Sequence, residues 1–263
     1  MARIIAVTNQ KGGVGKTTTC VNLAASLAAM KRRVLLIDLD PQGNATTGSG
    51  LIKEELDTSV FDVLVGSHGV KDVMKVVMED TPDAGKYWVL PANGDLTGAE
   101  VALLDLPSKE TRLRAGLYEV ENDFDYILLD CPPALNMLTV NALAASQGVL
   151  IPVQCEYYAL EGLTALLQTI EHITRALNPA LEIEGILRTM YDPRPSLTHD
   201  VSNQLQKHFG SKVYDTVIPR NIRLAEAPSY GVPVLYYEKQ SRGAIAYLAL
   251  AGEFIRKRHA KTA

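Results

Sequence analysis

The sequence is short of cysteine, and this shortage excludes two kinds of protein. Its 263 residues include three cysteines, Cys20, Cys131 and Cys155, which are widely spaced and odd in number. This arrangement argues against a disulfide framework and against a Cys-x-x-Cys metal site. We expect reduced thiols, most of them buried in the core.

Long apolar runs and a strong charge excess are also missing. The apolar run after Arg3 is too short for a signal-peptide core or a membrane span, so we expect a cytoplasmic protein. The net charge is only −4, which gives no global attraction to nucleic acid. Any DNA binding must therefore come from a local basic patch.

The composition that is present is typical of a folded globular chain. Hydrophobic residues make up 47% and charged residues 21%, without a low-complexity run. An α/β chain of this length commonly forms one domain, so we predict a single domain over residues 1–263. Residues 49–59 and 79–86 are predicted surface connections.

Short apolar runs rich in Val, Ile and Leu alternate with helical patterns. Continuous apolar strands suit a sheet covered on both faces, so the alternation predicts an α/β fold with a doubly wound, mainly parallel sheet flanked by helices. Ligands bind beyond the carboxyl ends of such strands. The predicted strands are 3–9, 33–40, 87–92, 124–130, 148–153, 182–191 and 213–219. The predicted helices are 17–30, whose apolar stripe excludes Asn22 and Ser26, and 136–146, 157–177 and 198–209.

A glycine-rich loop, NQKGGVGKTT at residues 9–18, joins the first strand to the first helix. It matches the phosphate-binding pattern G-x-x-x-x-G-K-[ST], except that Gln10 replaces the first glycine and a second lysine, Lys11, lies inside. Glycines let the backbone wrap an anion with its N–H groups pointing inward, at a helix N-terminus. We predict that Lys16 reaches the β- and γ-phosphates of a nucleotide and that the Thr17 hydroxyl binds Mg²⁺.

Three aspartates stand at strand ends, where they can serve this loop. Asp130 ends the strand YILLD, the position of a Walker B carboxylate that holds Mg²⁺ directly or through water. Asp38 and Asp40 end the second strand, just before Pro41. We favour Asp40 as the group that orients the attacking water, and keep Asp38 as a further metal candidate, while either could instead form the turn.

Four motifs in order, KGGVGKTTT, LLIDLDPQGNAT, YILLDCPPAL and VIPRNIRLAEAPSYG, closely resemble the ParA/Soj family of partitioning ATPases. This family belongs to the ParA/MinD group of deviant Walker ATPases, and the resemblance runs through essentially the whole chain. It implies slow ATP hydrolysis with ATP and Mg²⁺ as cofactors. It also implies that Lys11 crosses an ATP-sandwiched homodimer to the phosphates of the other subunit, which gives the second lysine a purpose.

The resemblance assigns further residues of the nucleotide site. Gly12 matches the glycine that must stay small for the subunits to close, Asp40 the carboxylate required for hydrolysis, and Asp130 the Walker B acid. Pro219 and Asn221 match residues at the adenine ring. The implied catalytic residues are Lys11, Lys16 and Asp40. The implied nucleotide-binding residues are Lys11, Gly12, Gly13, Val14, Gly15, Lys16, Thr17, Thr18, Pro219 and Asn221.

The family resemblance also implies macromolecular partners. Its dimers bind DNA without sequence preference, and a ParB-like centromere-binding protein stimulates their hydrolysis, so the chain is expected at the nucleoid. Arg194 and Arg223 match DNA-binding positions of the family, and such phosphate-directed binding weakens steeply with salt. Further basic residues that could widen the patch are Lys207, Lys212 and Arg220.

Three alternatives share the nucleotide motifs. A MinD-like ATPase would need a membrane-targeting C-terminal helix, but the apolar stripe of 242–263 is poor in bulky aromatics, which predicts core packing and no stable membrane association. That stripe comprises Ile245, Leu248, Ala249, Gly252 and Ile255. An iron–sulfur ATPase is disfavoured because Cys131 lies in the nucleotide motif. A cargo-positioning relative has the same chemistry and is not separated from chromosome partition by these motifs.

Overall fold

One eight-stranded sheet runs through the molecule. The computed structural model describes residues 1–78 and 85–262, so most of the predicted connection 79–86 lies outside the described residues. All seven predicted strands are confirmed. The strands are β1 Arg3–Val7, β2 Val34–Asp38, β3 Lys75–Val77, β4 Tyr87–Leu90, β5 Tyr126–Asp130, β6 Gly148–Gln154, β7 Glu182–Tyr191 and β8 Val213–Pro219.

The strand order confirms a doubly wound sheet. It reads β3-β4-β2-β5-β1-β6-β7-β8, and the described strand pairs are parallel apart from the edge strand β3, which pairs antiparallel with β4. On one side of β1 lie β2, β3 and β4, with β5 inserted between β2 and β1, and on the other side lie β6, β7 and β8. The loop after β1 therefore lies at the point where the winding changes direction, which is where such sheets bind ligands.

Helices cover both faces because successive residues of each strand point to opposite sides. In β1, Ile4 and Ala6 join one hydrophobic core, whereas Ile5 and Val7 join the other. The four predicted helices are confirmed in α1, α7, α8 and α9. The helices are α1 Lys16–Ala29, α2 Asn44–Gly48, α3 Val60–Val65, α4 Val70–Val73, α5 Ala99–Leu104, α6 Arg112–Leu117, α7 Met137–Ala145, α8 Ala159–Ala176, α9 Ser196–Phe209, α10 Ile222–Glu226, α11 Val234–Tyr237 and α12 Arg242–Thr262.

Asn22 and Ser26 lie outside the apolar stripe predicted for α1, but the structure does not expose them. Both are buried, because α1 is in contact with α11 and α12 as well as with the sheet. Asn22 satisfies its amide there: its Oδ1 accepts from the Val234 N–H at 2.7 Å and its Nδ2 donates to the Thr18 carbonyl. The buried amide of Asn22 thus has its hydrogen bonds satisfied and links α1 to the start of α11.

The buried face of α12 also differs from the predicted stripe. Ile245 is 57% exposed, and Ala249 is exposed as well. Leu248 and Ile255 of the predicted stripe are half-buried and pack against the core, whereas the buried residues are Ala244, Tyr247, Leu250, Ala251 and Phe254. Their spacing of three and four residues was visible in the sequence, and it includes the two aromatic side chains. The prediction that α12 packs into the core is confirmed, although the buried face is the one that carries Tyr247 and Phe254. Among the described residues, no helix is long and apolar enough to cross a bilayer.

Candidate nucleotide-binding site

The loop between β1 and α1 forms a backbone cradle. Gly13 and Gly15 adopt left-handed conformations, with φ of 71° and 85°, which residues with a Cβ rarely reach. Asn9 anchors the start of the loop: its Nδ2 donates to the Pro152 carbonyl at 2.8 Å and its Oδ1 accepts from the Lys11 N–H at 3.0 Å. The loop ends at the N-terminus of α1, where free N–H groups and the helix dipole favour an anion.

The two lysines of the loop have different surroundings. Lys16, the first residue of α1, is only 7% exposed, and its Nζ lies against the loop backbone, 3.4 Å from the Lys11 carbonyl oxygen. The Lys11 side chain is 40% exposed and forms an ion pair of 2.7 Å with Glu156, just after β6. Lys16 is thus placed to serve a phosphate in its own loop, whereas Lys11 lies at the rim.

Asp38 and Asp130 are neighbours across the sheet, at the ends of β2 and β5. Both are fully buried. Asp38 is an acceptor that fixes the following turn: Oδ2 accepts from the N–H and hydroxyl of Thr46, each at 2.8 Å, and Oδ1 accepts from the Asp40 N–H. Burial raises the pKa of Asp38 to about 6 despite these hydrogen bonds. Because both oxygens of Asp38 accept these hydrogen bonds, its carboxylate is already engaged in holding the backbone.

Asp130 has the opposite surroundings. Neither carboxylate oxygen has a hydrogen-bond partner among the described residues. Burial, together with the negative charge of Asp38, raises the pKa of Asp130 well above its usual range. A buried carboxylate without partners beside a phosphate loop is a fitting ligand for Mg²⁺, which typically takes one or two carboxylates plus phosphate oxygens and water. Asp130 and the Thr17 hydroxyl are the residues that would hold it.

Asp40 lies in the turn after β2. It is half-buried, and its Oδ1 accepts from the Gln42 N–H at 3.0 Å, while its carbonyl accepts from the Gly43 N–H. The backbone of Asp40 is held by Asp38, so the two aspartates of the motif have separate tasks. The more exposed carboxylate is the one that water can reach.

A cleft of about 380 Å³ beside the loop fits a nucleobase. Pro219 and Asn221, which the family resemblance assigns to the adenine ring, line it, and Asn221 has a buried side-chain oxygen without a partner in the described chain. Such an acceptor suits the exocyclic amine of adenine. Gly15 and Thr18 form the wall on the loop side, and the remaining lining residues are Thr189, Met190, Ile218, Arg220, Ile222, Leu224, Ala225 and Tyr247.

Thr189 and Met190, near the end of β7, belong to this site but are not marked by any sequence motif. Thr189 donates a buried hydrogen bond to the phosphate loop, and Met190 has a left-handed φ of 47°. No local pattern marks either residue, because the contact joins positions 175 residues apart in sequence.

The two arginines proposed for DNA binding are exposed and paired with neighbouring carboxylates. Arg194 forms a forked pair with Asp192, with contacts of 2.6 Å and 2.9 Å, and Arg223 contacts Glu226 at 2.7 Å. The hydrogen bond from Arg194 lowers the pKa of Asp192 to about 2. Arg194 also lines a second cleft of about 410 Å³, together with Arg220 and Arg242. Lys207 and Lys212 are exposed.

The three cysteines are free and buried, as predicted. Burial, followed by the nearby charge of Asp130, raises the pKa of the Cys131 thiol. No group of three or more His, Cys, Asp or Glu side chains in the described ranges could hold a metal ion. Among the described residues, the buried carboxylate of Asp130 is thus available to a nucleotide-bound cation, and no cluster of protein ligands alone forms a metal site.

The sheet and the glycine-rich loop, with the buried carboxylate of Asp130 beside it, are the features of a P-loop nucleoside-triphosphatase. A family model described as an AAA domain matches residues 2–183. The chain is 53% identical to the sporulation initiation inhibitor protein Soj of Bacillus subtilis, over 96% of this chain and 98% of that protein. It is 50% identical to the chromosome partitioning protein ParA of Caulobacter vibrioides, over 99% of this chain and 98% of that protein. The chain belongs to the ParA/Soj family of chromosome-partitioning ATPases.

Solved structures agree with this fold. Cobyrinic acid a,c-diamide synthase from Mycobacterium smegmatis, with a bound ATP analogue and magnesium, superposes with a TM-score of 0.85 at 37% identity, over 99% of this chain and 97% of that one. The cell division ATPase MinD of Pyrococcus furiosus superposes with a TM-score of 0.77 at 26% identity, over 97% of this chain and 99% of that one. The nucleotide and magnesium of the first structure agree with the predicted cofactors, ATP and Mg²⁺.

Proposed function

We propose that the protein is a nucleotide-gated DNA-partitioning switch. With ATP and Mg²⁺, two copies join face to face, and the dimer binds DNA without sequence preference. Slow hydrolysis, stimulated by a ParB-like partner on centromere-like sites, returns the copies to monomers that leave the DNA. The protein would then act in the cytoplasm at the nucleoid, and its relatives' names in chromosome partition support this setting.

The observation that carries the proposal is the division between the two lysines of the loop. Lys16 is buried against its own loop, while Lys11 is at the exposed rim, where its side chain pairs with Glu156. Two nucleotides facing each other concentrate negative charge, and a lysine from each side offsets it. An exposed lysine next to a complete phosphate cradle is what such a shared site requires.

Within one subunit, the residues divide the chemistry between them. The backbone from Gly12 to Thr18 and the Lys16 amine hold the phosphates, while Thr17 and Asp130 hold the Mg²⁺, with Asp38 fixing the turn beside it. The metal neutralises charge on the phosphates when it is bound. Asp40 orients the attacking water and accepts its proton, and Pro219 and Asn221 hold the base.

DNA binding in this proposal rests on Arg194 and Arg223, with Arg220, Lys207 and Lys212 at the margins. Because the net charge is −4, binding depends on a dimer that presents these residues twice. The carboxylates paired with Arg194 and Arg223 keep the attraction moderate, which suits a contact that must be released.

A membrane-associated role has less support. The aromatic residues of α12, Tyr247 and Phe254, are buried in the core and are not available to a bilayer. A role in positioning some other cargo uses the same site and the same DNA contacts, so the choice between cargo and chromosome rests on the ParB-like partner.

Light scattering with ATP and with ADP tests the switch. We expect the wild type to be mainly monomeric with ADP, Asp40→Ala to accumulate as a dimer with ATP, and Lys16→Ala to remain a monomer because it loses ATP. A monomeric Asp40→Ala that binds ATP normally would contradict the proposal.

A further inference from the structure

The end of β7 is tied to the phosphate loop through one buried hydroxyl. Thr189 is 2% exposed, and its Oγ1 donates to the Val14 carbonyl oxygen at 2.8 Å. Its side-chain carbons also approach the position that a Cβ on Gly15 would take, at 3.9 Å. The hydroxyl and the methyl of one side chain therefore both face the tip of the loop.

The tip of the loop needs such an external tie. Val14 lies between Gly13 and Gly15, which both adopt left-handed conformations. Glycine reaches left-handed and right-handed conformations with similar ease, so steric repulsion alone does not fix the direction of the peptide units on either side of Val14. A rotated peptide at this point would present a carbonyl oxygen to the phosphates.

The tie also fixes the direction of an N–H group. The carbonyl of Val14 and the N–H of Gly15 belong to one planar trans peptide, so they point in opposite directions. A hydrogen bond that draws the carbonyl toward Thr189 turns the Gly15 N–H the other way. Cradles of this kind bind anions only when their N–H groups converge on the ligand.

The backbone after Thr189 is unusual in a way that serves this contact. Met190 has a φ of 47°, which non-glycine residues seldom adopt, and the pairing of β7 with β8 shifts register between Arg188 and Tyr191. Strained conformations of this type persist where the surroundings enforce them, often at functional sites. Here the irregularity lies where the strand passes the loop and the base cleft.

We propose that Thr189 is a positioning residue for nucleotide binding: its hydroxyl holds the Val14–Gly15 peptide in the orientation that receives the phosphates. The role goes beyond the proposed switch, because it concerns a single subunit and requires neither a dimer nor DNA. It adds to the site a residue from β7, which is 175 positions away from Val14 in the sequence.

The test is a titration of each variant with a fluorescent ATP analogue and Mg²⁺, together with thermal unfolding of the nucleotide-free protein. Thr189→Val keeps the shape and removes the donor, and we expect the Kd to rise about tenfold, as for the loss of one buried hydrogen bond. Thr189→Ser keeps the hydroxyl and should bind within about twofold of the wild type. Thr174→Val is the matched control, because it loses a hydroxyl-to-carbonyl bond of 2.8 Å in α8, away from the loop.

Two results would overturn the proposal: a Kd for Thr189→Val within twofold of the wild type, or a Kd for Thr189→Ser that rises as much as that of the valine variant. A purely structural role would lower the unfolding temperature of Thr189→Val. The Kd measured at temperatures well below unfolding would then equal that of the wild type. If the valine variant does not fold, Thr189→Ala takes its place. Faster hydrogen exchange of the Gly15 amide in the alanine variant than in Thr189→Ser would then support the proposal, and equal exchange would refute it.

Discussion

The Nζ of Lys11 and the Oε2 of Glu156 form an ion pair of 2.7 Å across the mouth of the phosphate loop. Both side chains are partly exposed, so water screens the pair and it stabilises the monomer by only about 0.2–1 kcal/mol. If Lys11 serves the nucleotide of a second copy, this contact must break when the dimer forms. Glu156 is then a weak restraint on dimer formation.

Removing that restraint should favour the dimer. In Glu156→Gln combined with Asp40→Ala, we expect ATP-dependent dimers at a protein concentration roughly two- to thirtyfold lower than in Asp40→Ala alone, because two ion pairs no longer have to break. Light scattering over a dilution series measures this. Glu161→Gln is the matched control, since it removes the same charge five residues further on. Equal midpoints for Glu156→Gln and Glu161→Gln would show that the pair has no such role.

Gly12 should separate nucleotide binding from dimer formation. A Cβ at Gly12 meets no atom within 4 Å, so the monomer has room for a side chain there. We expect Gly12→Val to bind ATP within about threefold of the wild type, a change below 1 kcal/mol, and to stay monomeric because the valine stands where a second copy closes. Gly98→Val, which also has open space but lies outside the loop, should dimerise normally. Dimers of Gly12→Val would place the subunit contact elsewhere.

The two buried aspartates should respond differently to replacement by asparagine. Asp130→Asn should leave the nucleotide-free protein at least as stable as the wild type, because the carboxylate has no partner to lose, but it should abolish the Mg²⁺-dependent gain in ATP affinity. Asp38→Asn should lower the unfolding free energy by about 1–3 kcal/mol, because it weakens the acceptors for Thr46 and Asp40. Thermal unfolding with and without Mg²⁺ and ATP measures both the stability of the nucleotide-free protein and the stabilisation by Mg²⁺ and ATP. A full Mg²⁺ effect in Asp130→Asn would exclude its assignment as the metal ligand.

The pair of Arg194 and Asp192 should tune DNA affinity. Asp192→Asn removes a negative charge beside a proposed phosphate contact, so we expect the ATP-bound dimer to bind DNA roughly two- to fivefold more tightly at low salt. Asp123→Asn, which likewise removes one carboxylate charge from a surface ion pair, here with Lys71, should leave DNA binding unchanged. Fluorescence anisotropy on a fragment of arbitrary sequence compares the two. If both variants gain equally, the effect is one of net charge and does not assign Arg194 to the DNA contact.

Local signals explain what could be predicted from the sequence. The phosphate loop, the strand-end aspartates and the seven longer strands depend on contiguous residues, and the order of motifs led to the family. The three-residue edge strand β3 is too short to show a period. Thr189 could not be found, because its contact with Val14 depends on β7 lying beside the loop in the folded sheet. In α12, the predicted stripe through Ile245, Leu248 and Ile255 and the buried face with Tyr247 and Phe254 have similar apolar spacing, so periodicity alone does not separate them.

DNA binding by Asp40→Ala tests the central proposal most directly. The protein is titrated onto a fragment of arbitrary sequence with ATP and then with ADP, at two salt concentrations. We predict binding with ATP alone, with an affinity that falls steeply at the higher salt, as expected for contacts to phosphates. Binding that is equal with ATP and ADP, or absent with both, would contradict a nucleotide-gated DNA switch.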